Sequence, residues 1–315
     1  MGCATAWALT ERGADVSVFE QFELDHARGS SHGRSRIVRL AYPDPHWVRL
    51  AQEAYAGWRE LERESGRDLL ALYGIVEFVS SPELTSAKTL EACGVEHRLL
   101  GAEELRAHGA VLPRGWFALL QPEAGIIRAD LARHAFLDVA CTRGARVETG
   151  RRVDSLADVD ADVVVVTAGP WVRKLVPGLP VRVTRETLAY FRREGTPPPA
   201  FVQLNETRGH AMYSLYDPVY GFKASVHDAG PEVDPDDGGD PDPRILERAS
   251  AWIDERFPAV DPEPLAAETC FYTSTADGSF ILERRGRVVV GSPCSGHGFK
   301  FAPLVGRRLA ALALE

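Results

Sequence analysis

The sequence predicts an α/β fold, because short apolar strands alternate with amphipathic helices along the chain. The clearest strands are apolar, β-branched runs, at VSVF (16–19), DVVVVTAG (162–169) and RVVVG (287–291). The clearest helices space their apolar residues three or four apart, at 47–64, 129–145 and 244–258. At 315 residues, the chain is long enough for one large core or two domains.

The chain opens with a predicted helix over 2–12, which Gly13 ends, and the strand 16–19 follows and closes at Glu20. The alternating segment GIVEFVS (74–80) predicts another strand. The unbroken run 162–169 is typical of a parallel strand buried on both faces. The Pro-, Gly- and Asp-rich segment 231–243 predicts an exposed loop, and the last residues, from Phe301, predict a helix.

Composition excludes several classes of function. The net charge of −9 disfavours a nucleic-acid binder or a binder of anionic membranes, and the sequence lacks the roughly 18-residue apolar run of a membrane span. The five cysteines are spread along the chain without a CxxC pair, which favours a reducing cytoplasm over a disulfide framework or a zinc site. Only four of the 36 basic residues are lysines: Lys88, Lys174, Lys223 and Lys300.

The first twenty residues match the tail of a dinucleotide-binding unit. Gly2 takes the place of the third glycine of G-x-G-x-x-G, and Glu20 takes the place of the acid that binds the ribose hydroxyls. We expect the first strand and first two glycines to precede Met1, and a chain without that strand to be poorly stable and to bind its cofactor weakly. A helix, a turn and an acid-tipped strand occur in many folds, so these residues alone leave nucleotide binding open.

Three later segments carry a more specific pattern: GSSHGRSRIVRLAY (29–42), ETCFYTSTADGSF (268–280) and SPCSGHGFKFAPLVG (292–306). In order and spacing they resemble the family of monomeric sarcosine oxidase, N-methyltryptophan oxidase and pipecolate oxidase. The resemblance covers nearly the whole chain, and GHGFKFAP is its most specific part. AspGlySerPhe (277–280) and Arg34 depart from the usual family pattern.

The resemblance implies a Rossmann-type FAD-binding domain with an inserted α+β substrate domain built on an antiparallel sheet. We assign residues 1–73, 124–186 and 272–315 to the first domain, and residues 74–123 and 187–271 to the second. It also implies oxidation of a secondary amine of an amino acid by hydride transfer to FAD, with O2 reduced to H2O2. We expect small-molecule partners only, no nucleic acid, no membrane, no metal and a monomeric state.

The resemblance also assigns residues to the cofactor. Cys270 matches the cysteine that forms a thioether to the flavin, although a free cysteine is more often a small buried hydrophobe; Cys294 is the weaker candidate. Arg36 matches the arginine beneath the flavin ring. The full set of expected cofactor-binding residues is Gly2, Glu20, Ser31, His32, Arg36, Gly169, Trp171, Cys270, Gly296, His297, Gly298, Phe299 and Lys300.

Further residues are assigned to the substrates. Lys223 matches the lysine that activates oxygen, and a fixed cation beside reduced flavin stabilises negative charge developing on oxygen. Lys300 and Arg39 match the pair that binds the substrate carboxylate.

His227 and Tyr272 match polar groups near the amine, which must be neutral for hydride transfer. For Lys223, Arg36 and Arg39, a solvated surface position is the alternative.

Two other functions stay open from the sequence. One is an amine dehydrogenase that passes electrons to a different acceptor, and the other is a non-catalytic remnant with weak nucleotide binding. Selectivity among amines is expected to come from the inserted domain, around Tyr190, Phe191, Met212, Tyr213 and Tyr216.

Overall fold

The computed structural model describes residues 1–81, 86–204 and 211–315. In the first predicted domain, the parallel strand pairs belong to two small sheets. Strand β1 (Ser17–Phe19) pairs in parallel with β8 (Arg146–Glu148). Strand β9 (Val164–Val166) pairs in parallel with β16 (Val288–Ser292), which pairs antiparallel with β15 (Ile281–Arg285). The strands predicted at 16–19, 162–169 and 287–291 are therefore present.

Strand β9 is less buried than its sequence predicts. Only Val166 is buried, while Val164 and Val165 are half-buried. The physical reason is that, within the described residues, β9 pairs on one side only, and its other side faces a cavity. Strand β1 also has one described neighbour and lines the same cavity.

Helices α1 (Gly2–Glu11), α5 (Ala129–Thr142) and α8 (Ala302–Leu314) pack together against these strands. The approach of α8 to α1 is close, because a Cβ on Gly306 would lie 2.4 Å from the Ala4 carbonyl oxygen. Trp7 of α1 is fully buried among these helices, and burial of a large apolar side chain contributes about 1.5–3 kcal/mol. All three helices match the sequence-based prediction.

Helix α2 (Pro45–Ser65) is defined by local signals at both ends. The Asp44 side chain accepts a hydrogen bond from the backbone N–H of His46 (2.8 Å), and Pro45 occupies the first turn, where its missing N–H costs nothing. Gly66 ends the helix with φ of 66°, a left-handed conformation that favours glycine. The helix buries Trp58 and Leu61 against the first domain.

The inserted domain is an eight-stranded sheet, in the order β14-β10-β13-β12-β11-β4-β6-β5. Its strands are β4 (Ile75–Val79), β5 (Arg98–Leu100), β6 (Phe117–Gln121), β10 (Arg182–Arg192), β11 (Ala200–Gln203), β12 (Met212–Leu215), β13 (Gly221–Val226) and β14 (Pro264–Ser274). All neighbours are antiparallel except β4 and β11. Helix α7 (Pro243–Arg256) packs on the sheet, over a core that includes Phe201, Phe222 and Phe257.

A fourth sheet has the order β2 (Ser35–Val38), β7 (Gly125–Arg128) and β3 (Leu70–Ala71). The sequence analysis assigned no strand here, although β2 carries Arg36 and leads directly to Arg39. The remaining short helices are α3 (Ala87–Ala92), α4 (Ala102–Ala107) and α6 (Val172–Leu175).

The mixed α/β class is confirmed, and the inserted region is antiparallel almost throughout. The proposed domain boundaries at 186/187 and 271/272 fall inside β10 and β14, two long strands that run from one region into the other. The division into those exact ranges stays a prediction. In the described part of the chain, no helix is long and apolar enough to cross a membrane.

Candidate active site

A cavity of about 1440 Å³ lies between the parallel strands and the eight-stranded sheet. This volume exceeds the roughly 300–1,000 Å³ of ordinary small-molecule pockets. Every residue assigned from the sequence to cofactor, substrate or catalysis lines it: Gly2, Glu20, Ser31, His32, Arg36, Arg39, Gly169, Trp171, Lys223, His227, Cys270, Tyr272, Gly296, His297, Gly298, Phe299 and Lys300. The fold therefore brings together residues that are up to 298 positions apart in the chain.

One wall of the cavity is the loop between β16 and α8, where two glycines are sterically required. A Cβ on Gly298 would lie 1.5 Å from the Pro293 carbonyl oxygen. Gly296 has φ of 70°, and a Cβ there would lie 2.5 Å from His227 and 2.6 Å from Tyr272. These glycines keep the loop backbone close to the two polar side chains and leave the space in front of them open.

The loop before β2 wraps around the guanidinium of Arg36. Its Nη2 donates to the carbonyl oxygens of Ser30 (3.0 Å) and His32 (2.5 Å), and its Nη1 donates to the Ser35 carbonyl (2.9 Å). Arg36 also lies 5.8 Å from the ring centre of Phe299. Three backbone partners hold this cation at the cavity wall, so Arg36 is a structured part of the site and not a solvated surface residue.

The end of the cavity near the first strands contains the predicted nucleotide-binding residues. A Cβ on Gly2 would lie 3.0 Å from Thr167 Oγ1, so α1 begins very close to the end of β9. Glu20 follows β1, and its carboxylate accepts a hydrogen bond from the Phe22 N–H (2.9 Å). Gly169 has φ of 54°, and the buried Trp171 donates its indole N–H to Asp236 (2.6 Å).

Cys270 lies on β14, is 6 % exposed and lines the cavity. Burial raises the pKa of its thiol to about 12, while the nearby positive charges of Arg36 and Lys223 act in the opposite direction. At neutral pH the group is therefore a thiol. Cys294 is half-buried; desolvation raises the pKa of its thiol, and its sulfur accepts a hydrogen bond from the Thr273 N–H (3.4 Å).

Lys223 lies on β13 and is 2 % exposed, with its ammonium 5.5 Å from the ring centre of Tyr190. Burial, followed by repulsion from Arg36, lowers its pKa to about 8, while Glu268 partly offsets these effects. Lys223, Arg36 and Glu268 meet around Gly33, where a Cβ would lie within 3.9 Å of all three side chains. The surface alternative for Lys223 is excluded by its burial.

Two other polar groups at the cavity are half-buried and neutral. Tyr272 OH lies 3.3 Å from His227 Nδ1. Burial lowers the pKa of His227 to about 4 and raises that of Tyr272 well above its ordinary value. Near pH 7 the imidazole is uncharged and the phenol holds its proton, so the pair can exchange hydrogen bonds with a neutral ligand.

The two cations predicted to bind a carboxylate both lie beside the ring of Tyr42. Arg39 is 4.8 Å and the Lys300 ammonium 5.7 Å from its ring centre. Lys300 is buried and donates to the His297 carbonyl (2.9 Å); burial, followed by repulsion from Arg39, lowers its pKa well below its ordinary value. Arg39 has a second partner that the sequence analysis did not anticipate, because its Nη1 lies 3.0 Å from Glu77 Oε1.

Several polar groups at the cavity wall have hydrogen-bonding capacity that a ligand could satisfy. Ser30 Oγ, Ser35 Oγ and His32 Nε2 are buried at the cavity and have no hydrogen-bond partner within the described residues. Buried polar atoms of this kind are normally satisfied, so a ligand with acceptors or donors at this wall suits them. Burial lowers the pKa of His32 to about 4, which keeps the ring neutral beside Arg36.

The sequence analysis missed Tyr42, Glu77 and Glu268, whose neighbours come from distant parts of the chain. Most of the residues around which selectivity among amines is expected do not line the cavity. Phe191 and Met212 are in the hydrophobic core, and Tyr190 donates its hydroxyl to Glu268. Tyr216 packs against Tyr73. Of the five, only Tyr213 is among the described residues that line the cavity.

Comparison with known proteins gives consistent results. Residues 1–312 match the family described as FAD dependent oxidoreductase. The chain is 33% identical to the peroxisomal sarcosine oxidase of Homo sapiens, with all of this chain and 90% of that protein covered. It is 28% identical to the monomeric sarcosine oxidase of Bacillus sp. (strain B-0618), with the same coverage.

Among solved structures, the chain is similar to NikD, described as an unusual amino acid oxidase essential for nikkomycin biosynthesis, in its open form. The TM-score is 0.86 at 28% sequence identity, and the match covers 99% of this chain and 91% of the other.

Proposed function

Because this chain belongs to the family of FAD dependent oxidoreductases, we propose that it oxidises a secondary amine of a small amino acid. Sarcosine, other N-methyl amino acids and cyclic imino acids form the proposed substrate class, as the names of its sarcosine oxidase relatives suggest. The observation that carries the proposal is that Arg39 and Lys300 share one cavity with His227, Cys270 and Lys223. FAD, when bound, accepts a hydride equivalent from the carbon beside the amine, and O2 then takes the electrons to give H2O2.

The substrate carboxylate is proposed to bind Lys300 and Arg39. A carboxylate beside the Lys300 ammonium favours its charged form and offsets the burial that lowers its pKa. The fixed position of both cations beside Tyr42 would orient the amino acid and determine which C–H bond faces the cofactor.

The amine is proposed to lie near His227 and Tyr272. Hydride transfer needs an uncharged amine, and a neutral imidazole at neutral pH can accept the proton that the amine gives up or hold it through a hydrogen bond. Tyr272, 3.3 Å from His227, keeps the ring oriented.

The cofactor is proposed to be covalently attached through Cys270. Its position on the cavity wall supports this assignment, and the positive charges of Arg36 and Lys223 partly offset the burial that raises the pKa of its thiol. The remaining wall residues, from Gly2 and Glu20 to the loop 296–300, would hold the rest of FAD.

Lys223 is proposed to promote the reaction with oxygen. Its pKa of about 8 leaves the buried ammonium mostly charged at neutral pH, and in a low-polarity surrounding this charge acts strongly on an oxygen that is gaining an electron. We also propose a monomer, as the name of the Bacillus relative suggests, and a reducing compartment, in keeping with five free cysteines.

The test is anaerobic mixing of the FAD-loaded protein with sarcosine, N-methyl amino acids and cyclic imino acids, followed by admission of oxygen. We expect loss of the flavin absorbance near 450 nm with at least one of them, then one H2O2 for each amine oxidised. Flavin reduction without peroxide would identify a dehydrogenase with another acceptor. Absence of reduction by every secondary amine would overturn the proposal.

A further inference from the structure

We propose that Glu77 limits the positive charge of the carboxylate-binding pocket and thereby selects substrates with one carboxylate over those with two. This inference rests on the proposed function, because it assumes that Arg39 and Lys300 bind a substrate carboxylate. It concerns a residue that the sequence analysis did not assign to the site.

Glu77 is a buried acid placed directly behind Arg39. It lies in the middle of β4, is 1 % exposed, and its Oε1 is 3.0 Å from Arg39 Nη1. Ser86 donates its hydroxyl to Oε1 (3.2 Å) and its N–H to Oε2 (3.4 Å). Arg39 lines the cavity, whereas Glu77 is not among the described residues that do so. Glu77 therefore affects a ligand in the cavity through the ion pair that it forms with Arg39.

The backbone that carries Arg39 is fixed by the same sheet. Gln121 of β6 is 1 % exposed, and its side-chain oxygen accepts hydrogen bonds from the N–H groups of Leu40 (2.9 Å) and Ala41 (3.2 Å). Strands β4 and β6 are paired, so Glu77 and Gln121 hold the guanidinium and the adjoining backbone from one sheet face. Arg39 cannot easily leave its acidic partner to face a second anion alone.

The charges around the pocket can be counted for the described residues. Arg39 and Lys300 are the cations beside Tyr42, and Lys300 is bonded to a neutral backbone carbonyl. His227 and His297 are neutral, because burial lowers their pKa values to about 4 and about 3. Glu77 is the acid paired with one of these cations, Arg39. With both cations charged, two positive charges and one negative charge leave a net charge of +1.

A net charge of +1 matches one carboxylate of a substrate whose amine is neutral. Among the described residues beside Tyr42, a second carboxylate would find no further free cation, and an unpaired buried charge is strongly unfavourable. A binding site can reject a charged competitor by offering no group of opposite charge to pair with it, and this is a common way to obtain specificity. Removal of the Glu77 charge would make the second cation available.

The experiment uses two ethers that cannot be oxidised as amines, methoxyacetate with one carboxylate and diglycolate with two. Their dissociation constants are measured by calorimetry on the FAD-loaded protein. In Glu77→Gln, which keeps a hydrogen-bonding oxygen, we expect the ratio of the diglycolate Kd to the methoxyacetate Kd to fall by about tenfold or more. The control Glu91→Gln, an exposed acid on α3, should leave the ratio unchanged.

A second pair of variants keeps the test valid if Glu77→Gln does not fold. Arg39→Gln leaves Lys300 and Glu77, a net charge of zero, and should weaken methoxyacetate binding by about tenfold or more. Adding Glu77→Gln to Arg39→Gln restores a net charge of +1 and should recover most of that loss. Absence of recovery would overturn the role of Glu77.

The two proposals fail in different ways. An unchanged Kd ratio in Glu77→Gln, in a protein that oxidises a secondary amino acid, refutes the role of Glu77 alone. A shifted ratio in a protein that oxidises no secondary amine refutes the proposed function and leaves the charge role intact. If the wild-type protein binds neither ether, the charge role of Glu77 is wrong, and the proposed function is decided by the oxidation of secondary amines alone.

Discussion

Burial decides the chemistry of single residues in this cavity. Lys223, His227 and Cys270 are all removed from water, and desolvation shifts each pKa toward the uncharged form. The same residue types on the surface would be a charged lysine, a partly charged histidine and a modestly acidic thiol. Three experiments address Lys223 and Cys270.

Lys223→Met should slow reoxidation of the reduced flavin by oxygen by roughly 10²-fold, because a single preorganised charge or donor commonly contributes that much. Reduction by substrate without oxygen should change by only about twofold, since Lys223 is not assigned to amine oxidation. Stopped-flow measurement of the two half-reactions tests this, with Lys88→Met, an exposed lysine, as the control. Equal slowing of both half-reactions would contradict the assignment.

The pH dependence of the oxygen step follows from the pKa of Lys223, which is about 8. Below that pH the ammonium is charged and can stabilise negative charge on oxygen; above it the amine is neutral and this effect is lost. We therefore expect the oxygen rate constant to fall as the pH rises through about 8. In Lys223→Met, this pH-dependent decrease should disappear.

Cys270→Ser tests the covalent attachment. Serine keeps the size of the side chain but cannot form a thioether, so we expect flavin to leave this variant on acid precipitation and to stay with the wild-type protein. Cys294→Ser, at the weaker candidate, should retain its flavin. Release of flavin from the wild-type protein by acid would show that no covalent bond exists.

At the scale of elements, the loop from Pro293 to Phe299 places several site residues with little freedom. Gly298 has ordinary dihedral angles, but its Cα faces the Pro293 carbonyl so closely that no side chain fits. The following short 3₁₀ turn and α8 then fix Lys300, whose carbonyl accepts the indole N–H of Trp58 on α2 (2.7 Å). The loop is thus tied to the core on both sides.

Gly298→Ala should destabilise the protein by about 1–3 kcal/mol or more, because the added methyl group requires the backbone to move. It should also reduce flavin content, since the loop lines the cavity. Gly238→Ala is a matched control: no atom lies within 4 Å of the added Cβ, so we expect a change within about 0.5 kcal/mol. Urea denaturation and flavin absorbance measure both effects.

At the scale of the whole molecule, the cavity separates strand groups that have little direct contact. Strand β1 and strand β9 each face it, and the eight-stranded sheet closes the opposite side. The acidic loop over 231–243, largely exposed as the sequence predicts, is anchored to the first domain: Lys174 bonds to Asp234 (2.7 Å) and Asp236 (2.5 Å). A ligand in this cavity would contact both regions at once.

Flavin binding should therefore stabilise the complete fold. In Cys270→Ser, whose flavin can exchange, saturation at about 100 times the Kd should add about 2.7 kcal/mol to the free energy of unfolding. Thermal unfolding at increasing FAD concentrations tests this, and the transition should move upward as one step. Separate transitions, of which FAD shifts only one, would contradict coupling of the two regions.

The sequence alone determined the local elements and the types of residues at the site. Helices α1, α2, α5, α7 and α8 and strands β1, β4 and β16 follow from periodicity and capping residues close in the chain. The residues assigned to the site from the sequence all reach one cavity, because glycine turns and strand ends place them there.

The burial of the side chains at the site, their partners and their protonation states follow from the tertiary structure. The alternating pattern of 74–80 predicts a strand with one polar face, yet β4 lies inside a wide sheet, so Glu77 is buried and paired with Arg39. Strand β2 was missed because its partner β7 is about ninety residues away. Such pairings depend on contacts between residues that are distant in sequence. Desolvation shifts the pKa values of the site, and side chains are desolvated only once those contacts have formed.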